Sequence, residues 1–228
     1  GLAINHANND YNVIIGQDAG TGGNGGTMSY NVAIGGNALN STGTATHFYS
    51  TVIGYDAGTA INSNDASGTV LVGYQAGAAL TNGIGNVAIG YQALDAEDDG
   101  DHSTAIGYQS LTAQTGTSGT VQNTAVGFKS GLSINTGAQN TIVGTYAADA
   151  LTDATANVAV GVDALGASAS GSQIVAIGHS AVGGANVTTG ANGTVGIGKD
   201  ALVQLTSGIG NVAVGAYALD AEDDGDYN

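Results

Sequence analysis

Two acidic tracts carry the side chains with the clearest potential for chemistry. Asp95–Asp101 and Asp220–Asp226 share the sequence Asp-Ala-Glu-Asp-Asp-Gly-Asp and together hold ten of the eighteen acidic residues. Several carboxylate oxygens on one turn suit a hard cation, so each tract is a candidate calcium site. The spacing matches neither an EF-hand loop nor the glycine-rich calcium repeat of β-rolls. We favour the alternative, a solvated turn whose charge opposes sideways aggregation.

A second candidate is a set of aromatic residues that each follow a recurrent glycine. The set is Tyr55, Tyr74, Tyr91, Tyr108 and Phe128. If these residues stack in a column, they can bind sugars or they can shield the strand edge and pack on their neighbours. We favour the packing interpretation.

The remaining reactive residue types form no catalytic pattern. The four histidines, His6, His47, His102 and His179, lie far apart in the chain and have no metal-ligand spacing. The glycine-rich stretch 22–26 lacks the lysine and the helix of a phosphate-binding loop. No nucleophile elbow is present, and paired carboxylates in a cleft, which a glycosidase needs, are not evident. We expect no enzymatic activity, no metal and no cofactor, with calcium at the two acidic turns as the alternative.

These residues sit on a repeat whose glycine recurs twelve times. The repeat glycines are Gly16, Gly35, Gly54, Gly73, Gly90, Gly107, Gly127, Gly144, Gly161, Gly178, Gly198 and Gly215. Their spacing is 17 residues in most copies and 19 or 20 in the others. A degenerate thirteenth copy is predicted at Leu2–Asn5. A fixed short period of this kind is the signature of a repeat architecture.

With the repeat glycine as position 0, each neighbouring position has its own residue type. Position −1 is Ile or Val and position −3 is Val or Thr in all twelve copies, whereas position −2 is Ala in seven. Position −4 is Asn in seven copies, and position +3 is always Ala or Ser. In a strand, positions −3 and −1 share one face and position −2 lies on the other. We expect the Ile and Val columns to form the core, the Asn column to form a hydrogen-bonded ladder, and other copies of the chain to cover the Ala column.

The repeat predicts an all-β fold, a parallel β-roll or β-solenoid with rungs of about 17 residues. Such a period holds two short strands and two turns, and its β-branched residues favour strands over helices. The repeat glycine marks a tight bend or the close approach of another backbone. We expect one repeat domain over residues 1–228, with about twelve rungs, that is a segment of a longer chain. Because the small Ala residues suit a three-fold axis, we expect a homotrimeric fibre.

Composition excludes several classes of function. Glycine accounts for 40 of the 228 residues, there is no Pro, Cys or Trp, and the formal net charge is −16 with only two basic residues. Two basic side chains cannot neutralise a phosphate backbone, so nucleic-acid binding is not expected. No apolar run is long enough for a membrane-spanning helix. Glycine does not recur at every third residue, which excludes collagen.

The phrase Asn-Val-Ala-Ile-Gly-Tyr-Gln-Ala-Leu at Asn86–Leu94, with related copies at Ser103–Leu111 and Asn123–Gly131, resembles the repeat of phage and phage-like tail fibre proteins. Those proteins often end in an intramolecular chaperone domain. The core Val-Ala-Ile-Gly is also similar to the head repeats of trimeric autotransporter adhesins of the YadA type, which are left-handed parallel β-rolls. The resemblance covers Asn12–Leu219 and implies a left-handed roll in a homotrimer.

The tail-fibre resemblance implies a structural shaft on an extracellular virion fibre. Its partners would be other copies of the chain, other fibre or baseplate proteins, and a host receptor contacted by a part outside this segment. The alternative is the ligand-binding head of an adhesin on a bacterial cell surface. A polysaccharide-cleaving tailspike is a more distant alternative, because it needs carboxylates grouped in a groove between chains. No membrane insertion is expected.

Overall fold

The structure is a computed structural model that describes residues 11–21, 28–40, 47–62, 66–116 and 119–228. Its contacts divide the chain into two compact units. The N-terminal unit comprises Gly1–Gln109 and Thr115–Val121, and the C-terminal unit comprises Ser110–Gln114 and Gln122–Asn228. Three features of the sequence lie outside the described residues, namely the degenerate copy at 2–5, His6 and the glycine-rich stretch 22–26.

The N-terminal unit is built from short parallel strands. Six of them carry the repeat: β1 (Val13–Ile15), β3 (Val32–Ile34), β5 (Thr51–Ile53), β6 (Val70–Val72), β7 (Val87–Ile89) and β9 (Thr104–Ile106). They pair in this order. Four two-residue strands form two further pairs: β2 (Met28–Ser29) with β4 (His47–Phe48), and β8 (Gly100–Asp101) with β10 (Gly119–Thr120).

The C-terminal unit has the same construction. Its strands are β11 (Thr124–Val126), β12 (Thr141–Val143), β13 (Val158–Val160), β14 (Val175–Ile177), β15 (Val195–Ile197) and β16 (Val212–Val214). They pair in chain order, and a 3₁₀ turn at Thr189–Ala191 lies between β14 and β15. No α-helix occurs in the described ranges.

Strand register places each position of the repeat on the same position of the next rung. Val13 lies opposite Val32 in the N-terminal unit, and Val158 lies opposite Val175 in the C-terminal unit. Parallel pairing one period apart is the hydrogen-bonding pattern of a solenoid, in which each rung contacts only its neighbours. The predicted fold class, an all-β parallel solenoid with rungs of about 17 residues, is confirmed in each unit. The single domain, the left-handed roll and the homotrimer stay predictions.

The repeat glycine allows successive rungs to approach closely. All twelve have φ between 132° and 145°, a backbone conformation that side-chain-bearing residues rarely adopt. In the N-terminal unit, a Cβ on Gly90 would overlap the carbonyl oxygen of Gly107. In the C-terminal unit, a Cβ on Gly127 would overlap the carbonyl oxygen of Gly144. Both predicted roles of this glycine, the bend and the close approach, are therefore confirmed.

The assignment of the two strand faces from sequence was wrong. Position −2 faces inward, as Ala33, Ala88 and Ala159 are fully buried. Positions −3 and −1 face outward, so that Ile89 is 37% exposed and Val143 39% exposed. Both faces are apolar, and alternation alone does not say which one the rung encloses. A rung of this length has a thin interior, which positions −2 and +4 fill together, and the β-branched side chains of positions −3 and −1 lie outside.

Two inward positions share the interior volume of each rung. Where position −2 is large, position +4 is small, as in Leu71 with Gly77. Where position −2 is Ala, position +4 is large in every rung but one, as in Ala88 with Leu94. The exception is Ala125 with Gly131, where a Cβ on the glycine would lie 2.9 Å from Leu111 Cδ2. A Cβ on Gly77 would lie 2.8 Å from Leu71 Cδ2, so the leucine occupies the space that a side chain at +4 would need. Close packing of interiors explains why the two sizes are exchanged rather than varied freely.

The predicted Asn ladder at position −4 is confirmed, with a difference in its bonding. The backbone N–H of Asn140 donates to Asn123 Oδ1 (2.9 Å), and that of Asn157 donates to Asn140 Oδ1 (3.0 Å). Asn140 Nδ2 also donates to the carbonyl oxygen of Ala154 (3.0 Å). Each amide therefore joins the backbones of adjacent rungs, in addition to bonds between amides. These side chains are buried, and the bonds satisfy groups that would otherwise cost free energy there.

Candidate functional site

The first acidic tract is organised around a buried carboxylate. Glu97 is fully buried, and its Oε1 accepts hydrogen bonds from the backbone N–H groups of Gly100 (2.6 Å), Gly116 (2.9 Å) and Asp98 (3.1 Å). The Gly100 bond closes the turn, and the Gly116 bond joins it to the segment that covers the tract. A buried carboxylate is tolerated when backbone donors of this kind surround it.

The neighbouring aspartates fasten the tract to the preceding rung. Asp99 Oδ1 accepts from Thr81 Oγ1 (2.9 Å) and Asn82 Nδ2 (2.7 Å). Asp101 Oδ1 accepts from the backbone N–H of Ile84 (2.7 Å). These oxygens therefore take part in the hydrogen bonding of the turn.

The second tract repeats part of this arrangement. Glu222 Oε1 accepts from the backbone N–H of Gly225 (2.7 Å), and Asp226 Oδ1 accepts from that of Ile209 (2.7 Å). Thr206 Oγ1 donates to Asp223 Oδ1 (2.6 Å), one residue earlier in the tract than the matching contact of Thr81.

The carboxylates do not converge on a common point. Among the residues with described positions, no group of three or more His, Asp or Glu side chains is arranged to hold a metal ion. The hydrogen bonds of Glu97, Asp99 and Asp101 favour the turn interpretation over the calcium interpretation. The sequence showed the tracts, but it did not indicate that Glu97 is buried.

Burial raises the pKa of two aspartates, each at position +5 of its rung. Partial burial raises the pKa of Asp95 above its ordinary value of 3.8, against a smaller opposing effect of a backbone hydrogen bond. Burial also raises the pKa of Asp149, with a backbone hydrogen bond opposing it and the charge of Asp163 adding to it. Desolvation and a like charge both disfavour the ionised carboxylate.

The predicted aromatic column exists as a stacked ladder in the N-terminal unit. The ring centroids of Tyr55, Tyr74, Tyr91 and Tyr108 are separated by 5.9, 5.2 and 5.0 Å, with interplanar angles of 11° or less. Within the ladder each ring face is covered by the next ring, so solvent reaches mainly edges and hydroxyl groups. Sugars stack on ring faces, and this geometry therefore favours the packing interpretation. Phe128, in the C-terminal unit, packs edge-on against Tyr146 at 5.3 Å.

Two further ladders were not found from the sequence. Tyr11, Tyr30 and Tyr49 stack at position −5, with centroids 5.0 and 5.3 Å apart. The sequence contained a signal for the tyrosine ladder, because tyrosine recurs at position −5, directly before position −4, in these three successive copies. At position +2, Gln109 Nε2 donates to Gln92 Oε1 and Gln92 Nε2 donates to Gln75 Oε1, each at 3.1 Å.

A serine, a histidine and an aspartate meet in the C-terminal unit but do not form a catalytic triad. Ser180 Oγ lies 3.0 Å from His179 Nδ1, and Asp200 Oδ1 lies 3.9 Å from the same nitrogen. A triad needs the nucleophile and the carboxylate on opposite ring nitrogens, so that the ring can accept a proton at one and be oriented at the other. The histidine side chain is also more than half exposed.

The outer face of each unit carries partly exposed side chains. Alternate positions −5, −3, −1 and +1 carry partly exposed side chains, whereas positions −4, −2 and +3 are buried in most rungs. We call the columns at −3 and −1 the outer strip, and the columns at −5 and +1 its two flanks. The outer strip consists of Val, Ile and Thr, and tyrosines occupy parts of both flanks. The Val and Ile side chains make the strip largely apolar, a feature that is common at interaction surfaces.

No protein-family model, curated protein or solved structure matches the chain. Within the ranges that have described coordinates, no helix has the length and apolar character needed to cross a membrane.

Proposed function

We propose that the chain is a structural segment of a homotrimeric extracellular fibre, the shaft of a phage or phage-like tail fibre. The shaft would hold a receptor-binding tip, carried by another part of the fibre, away from the particle. The observation that carries this proposal is the outer strip, an apolar face that continues from rung to rung in each unit. Three chains that turn these strips toward a common axis would bury them.

The hydrogen-bonding of the rungs supports a mechanical role. Backbone bonds link each rung to the next, and the Asn ladder adds side-chain bonds between the same rungs. Bending or opening such a stack breaks several of these bonds together. The sequence contains no proline to interrupt the ladders.

The charge distribution supports exposure of the turns in such a fibre. The acidic tracts lie on turns and, at Gly100–Asp101, on the short strand β8, away from positions −3 and −1 of the repeat strands. Acidic side chains there repel neighbouring fibres and oppose sideways aggregation.

The test is the oligomeric state of the purified chain and of a variant of its outer strip. We expect the native chain to sediment as a trimer, and native mass spectrometry to give three chains per particle. Ile89→Lys with Ile177→Lys places charges within the strip and should shift the population to monomers. Thr155→Lys, on an exposed turn, is the matched control and should leave the trimer intact. A native chain that is monomeric at fibre-forming concentrations would refute the proposal.

The alternative is the head of a bacterial surface adhesin, in which the roll itself contacts a host ligand. The similarity of Val-Ala-Ile-Gly to adhesin head repeats favours it. The sequence that follows Asn228 in the native protein separates the two functions. A chaperone-type domain, or its cleavage site, supports the fibre, whereas a coiled-coil stalk and a membrane anchor support the adhesin.

A further inference from the structure

The stacked tyrosines of the N-terminal unit have a reactivity that their packing does not require. Tyr91 and Tyr108 stack with ring centroids 5.0 Å apart and an interplanar angle of 7°. Tyr74 stacks on Tyr91 at 5.2 Å and 9°. A phenol gives up an electron and a proton to a one-electron oxidant and becomes a phenoxyl radical, and two such radicals couple when their rings meet. The ladder therefore holds pairs of rings in contact that suit oxidative coupling.

Solvent and small oxidants reach these rings. Tyr74, Tyr91 and Tyr108 are between 41% and 43% exposed. The carbons that couple are the Cε atoms, which flank the hydroxyl-bearing carbon at the far end of each side chain. Because χ2 of tyrosine is a broad torsion, a tilt and a slide of partly exposed rings bring the Cε atoms of two neighbours together.

A covalent link between rungs would reinforce a chain that has no cysteine. The sequence offers no thiol for a disulfide bond, and the described rungs are joined by hydrogen bonds and packing. Tyr91 and Tyr108 are 17 residues apart, so a bond between their rings closes a loop of one rung. A cross-link of this kind stabilises the folded chain mainly by limiting the conformations of the unfolded chain.

We propose that the tyrosine ladder, and first of all its pair Tyr91 and Tyr108, is a site of dityrosine formation between successive rungs of one chain. The oxidant is hydrogen peroxide acting through a haem peroxidase, which breaks the O–H bond of each phenol by removing one electron and one proton. The two radicals form a bond between their Cε atoms, and the hydrogens on those carbons move to the phenoxyl oxygens. The chain loses two hydrogen atoms, and the peroxide becomes two molecules of water.

This inference goes beyond the proposed shaft and does not depend on the trimer, because both rings belong to one chain. The C-terminal unit supplies the comparison. Tyr146 packs edge-on against Phe128 with an interplanar angle of 85°, and a phenylalanine forms no phenoxyl radical. The hydroxyl oxygen of Tyr217 accepts a hydrogen bond from Lys199 Nζ (2.6 Å). Neither contact provides a second phenol, so coupling should be confined to the ladders.

The experiment treats the folded native chain with a haem peroxidase and hydrogen peroxide and then maps the product. Cleavage before aspartate gives a peptide 65–94, with Tyr74 and Tyr91, and a peptide 101–148, with Tyr108 and Tyr146. We expect the two peptides to be recovered joined, with a mass lower than their sum by two hydrogen atoms and with dityrosine fluorescence. Fragmentation in the mass spectrometer should place the bond between Tyr91 and Tyr108.

Two variants of the same peptide are matched controls. Tyr108→Phe keeps a stacked ring that cannot form the radical, so the yield of the joined peptide should fall to background. Tyr146→Phe removes the other tyrosine of that peptide and should leave the yield unchanged. Circular dichroism verifies that both variants are folded. Loss of the product in Tyr146→Phe, or its persistence in Tyr108→Phe, would overturn the pairing.

A second comparison asks whether the folded ladder directs the coupling. A light-activated ruthenium complex with persulfate, another one-electron oxidant, replaces the peroxidase because it also works in concentrated urea. The joined peptide should form readily in the folded chain and rarely in urea, where the rings no longer stack. Equal yields would overturn the inference. The oxidised folded chain should also unfold at a higher urea concentration than the untreated chain, and an unchanged midpoint would contradict the reinforcing role.

The outcomes separate this inference from the proposed shaft. Denaturing electrophoresis should show the oxidised product as single chains. Products of two or three joined chains in their place would mean that the tyrosines meet between copies, which overturns the link within one chain and supports the trimer. A native trimer that forms no dityrosine overturns this inference alone, whereas a monomer that forms the link between Tyr91 and Tyr108 supports it and refutes the trimer.

Discussion

The tracts Asp95–Asp101 and Asp220–Asp226 have the same seven residues and different surroundings. Glu97 is fully buried and accepts three backbone hydrogen bonds, whereas Glu222 is partly exposed and accepts one from Gly225. Leucines that precede the tracts differ in the same way, since Leu94 is fully buried and Leu219 is 38% exposed. Residues further along the chain cover the first tract, where Gly116 donates to Glu97 and β10 pairs with β8. In the 228-residue chain only Tyr227 and Asn228 follow the second tract.

The comparison separates local from non-local causes. Asp101 accepts from Ile84, and Asp226 accepts from Ile209 at the same distance of 2.7 Å. The glutamate-to-glycine bond that closes the turn is also present in both tracts. The tract's own residues therefore set the turn, and a neighbouring rung sets its burial. In the 228-residue chain, these identical residues should therefore contribute unequally to stability.

The largest expected difference concerns the leucines. Leu94→Ala should lower the free energy of unfolding by about 2–5 kcal/mol, the cost of a cavity in a packed core. Leu219→Ala should cost less than about 1 kcal/mol, because its side chain is already partly solvated. Urea unfolding followed by circular dichroism measures both, and hydrogen exchange locates the loss. Equal losses of unfolding free energy at the two leucines would contradict a contribution set by burial.

A compensating variant sharpens this test. Ala88→Leu with Leu94→Gly reproduces the arrangement of Leu71 and Gly77 in the preceding rung. If the interior volume is shared between positions −2 and +4, the pair should restore most of the stability that Leu94→Gly alone removes. Additive losses in the double variant would contradict the shared volume.

The next largest difference concerns the glutamates. Glu97→Ala leaves the buried backbone N–H groups of Gly100 and Gly116 without this acceptor and should cost about 1–3 kcal/mol. Glu222→Ala should cost less than about 1 kcal/mol, because water reaches its turn. Glu97→Gln keeps one acceptor oxygen and should fall between the native chain and Glu97→Ala in thermal unfolding.

A smaller effect concerns pH. Burial raises the pKa of Asp95, so the folded state binds a proton more readily than the unfolded state. Stability contributed by this group should therefore rise as pH falls from neutrality toward the ordinary pKa of 3.8, and should be lost as pH rises again. Asp95→Asn should flatten this part of the pH profile, by less than about 1 kcal/mol because the group is partly solvated. Asp220→Asn, at the exposed matching position, is the control and should change the profile less.

The smallest expected effect is that of calcium. The melting temperature should be the same in millimolar Ca²⁺ and in excess chelator, because the carboxylates serve the turns rather than a common metal position. A rise with Ca²⁺ that is lost in Asp98→Asn would restore the calcium interpretation for the first tract. The same rise lost only in Asp223→Asn would assign it to the second.

The period, the position of the repeat strand and the residue types of the glycine and asparagine columns were predictable from the sequence. Gly90 and its equivalents are required because the next backbone lies where their Cβ would be, and the same residue type recurs in every copy. The Asn ladder was predictable for the same reason, since residues such as Asn140 repeat at a fixed distance from that glycine. The same backbone constraint acts in every rung and selects the same residue type each time. A single sequence therefore shows it as a recurring residue.

The enclosed face of each strand, and the different burial of matching residues in the two acidic tracts, are seen in the tertiary structure alone. Ala88 and Ile89 alternate on an apolar strand, and the enclosed face depends on how the whole rung closes. Glu97 and Glu222 have the same local sequence, and the burial of Glu97 involves Gly116, which lies 19 residues further along the chain. The burial of a side chain depends on contacts with neighbouring rungs. The residue type at one position of the repeat does not specify those contacts.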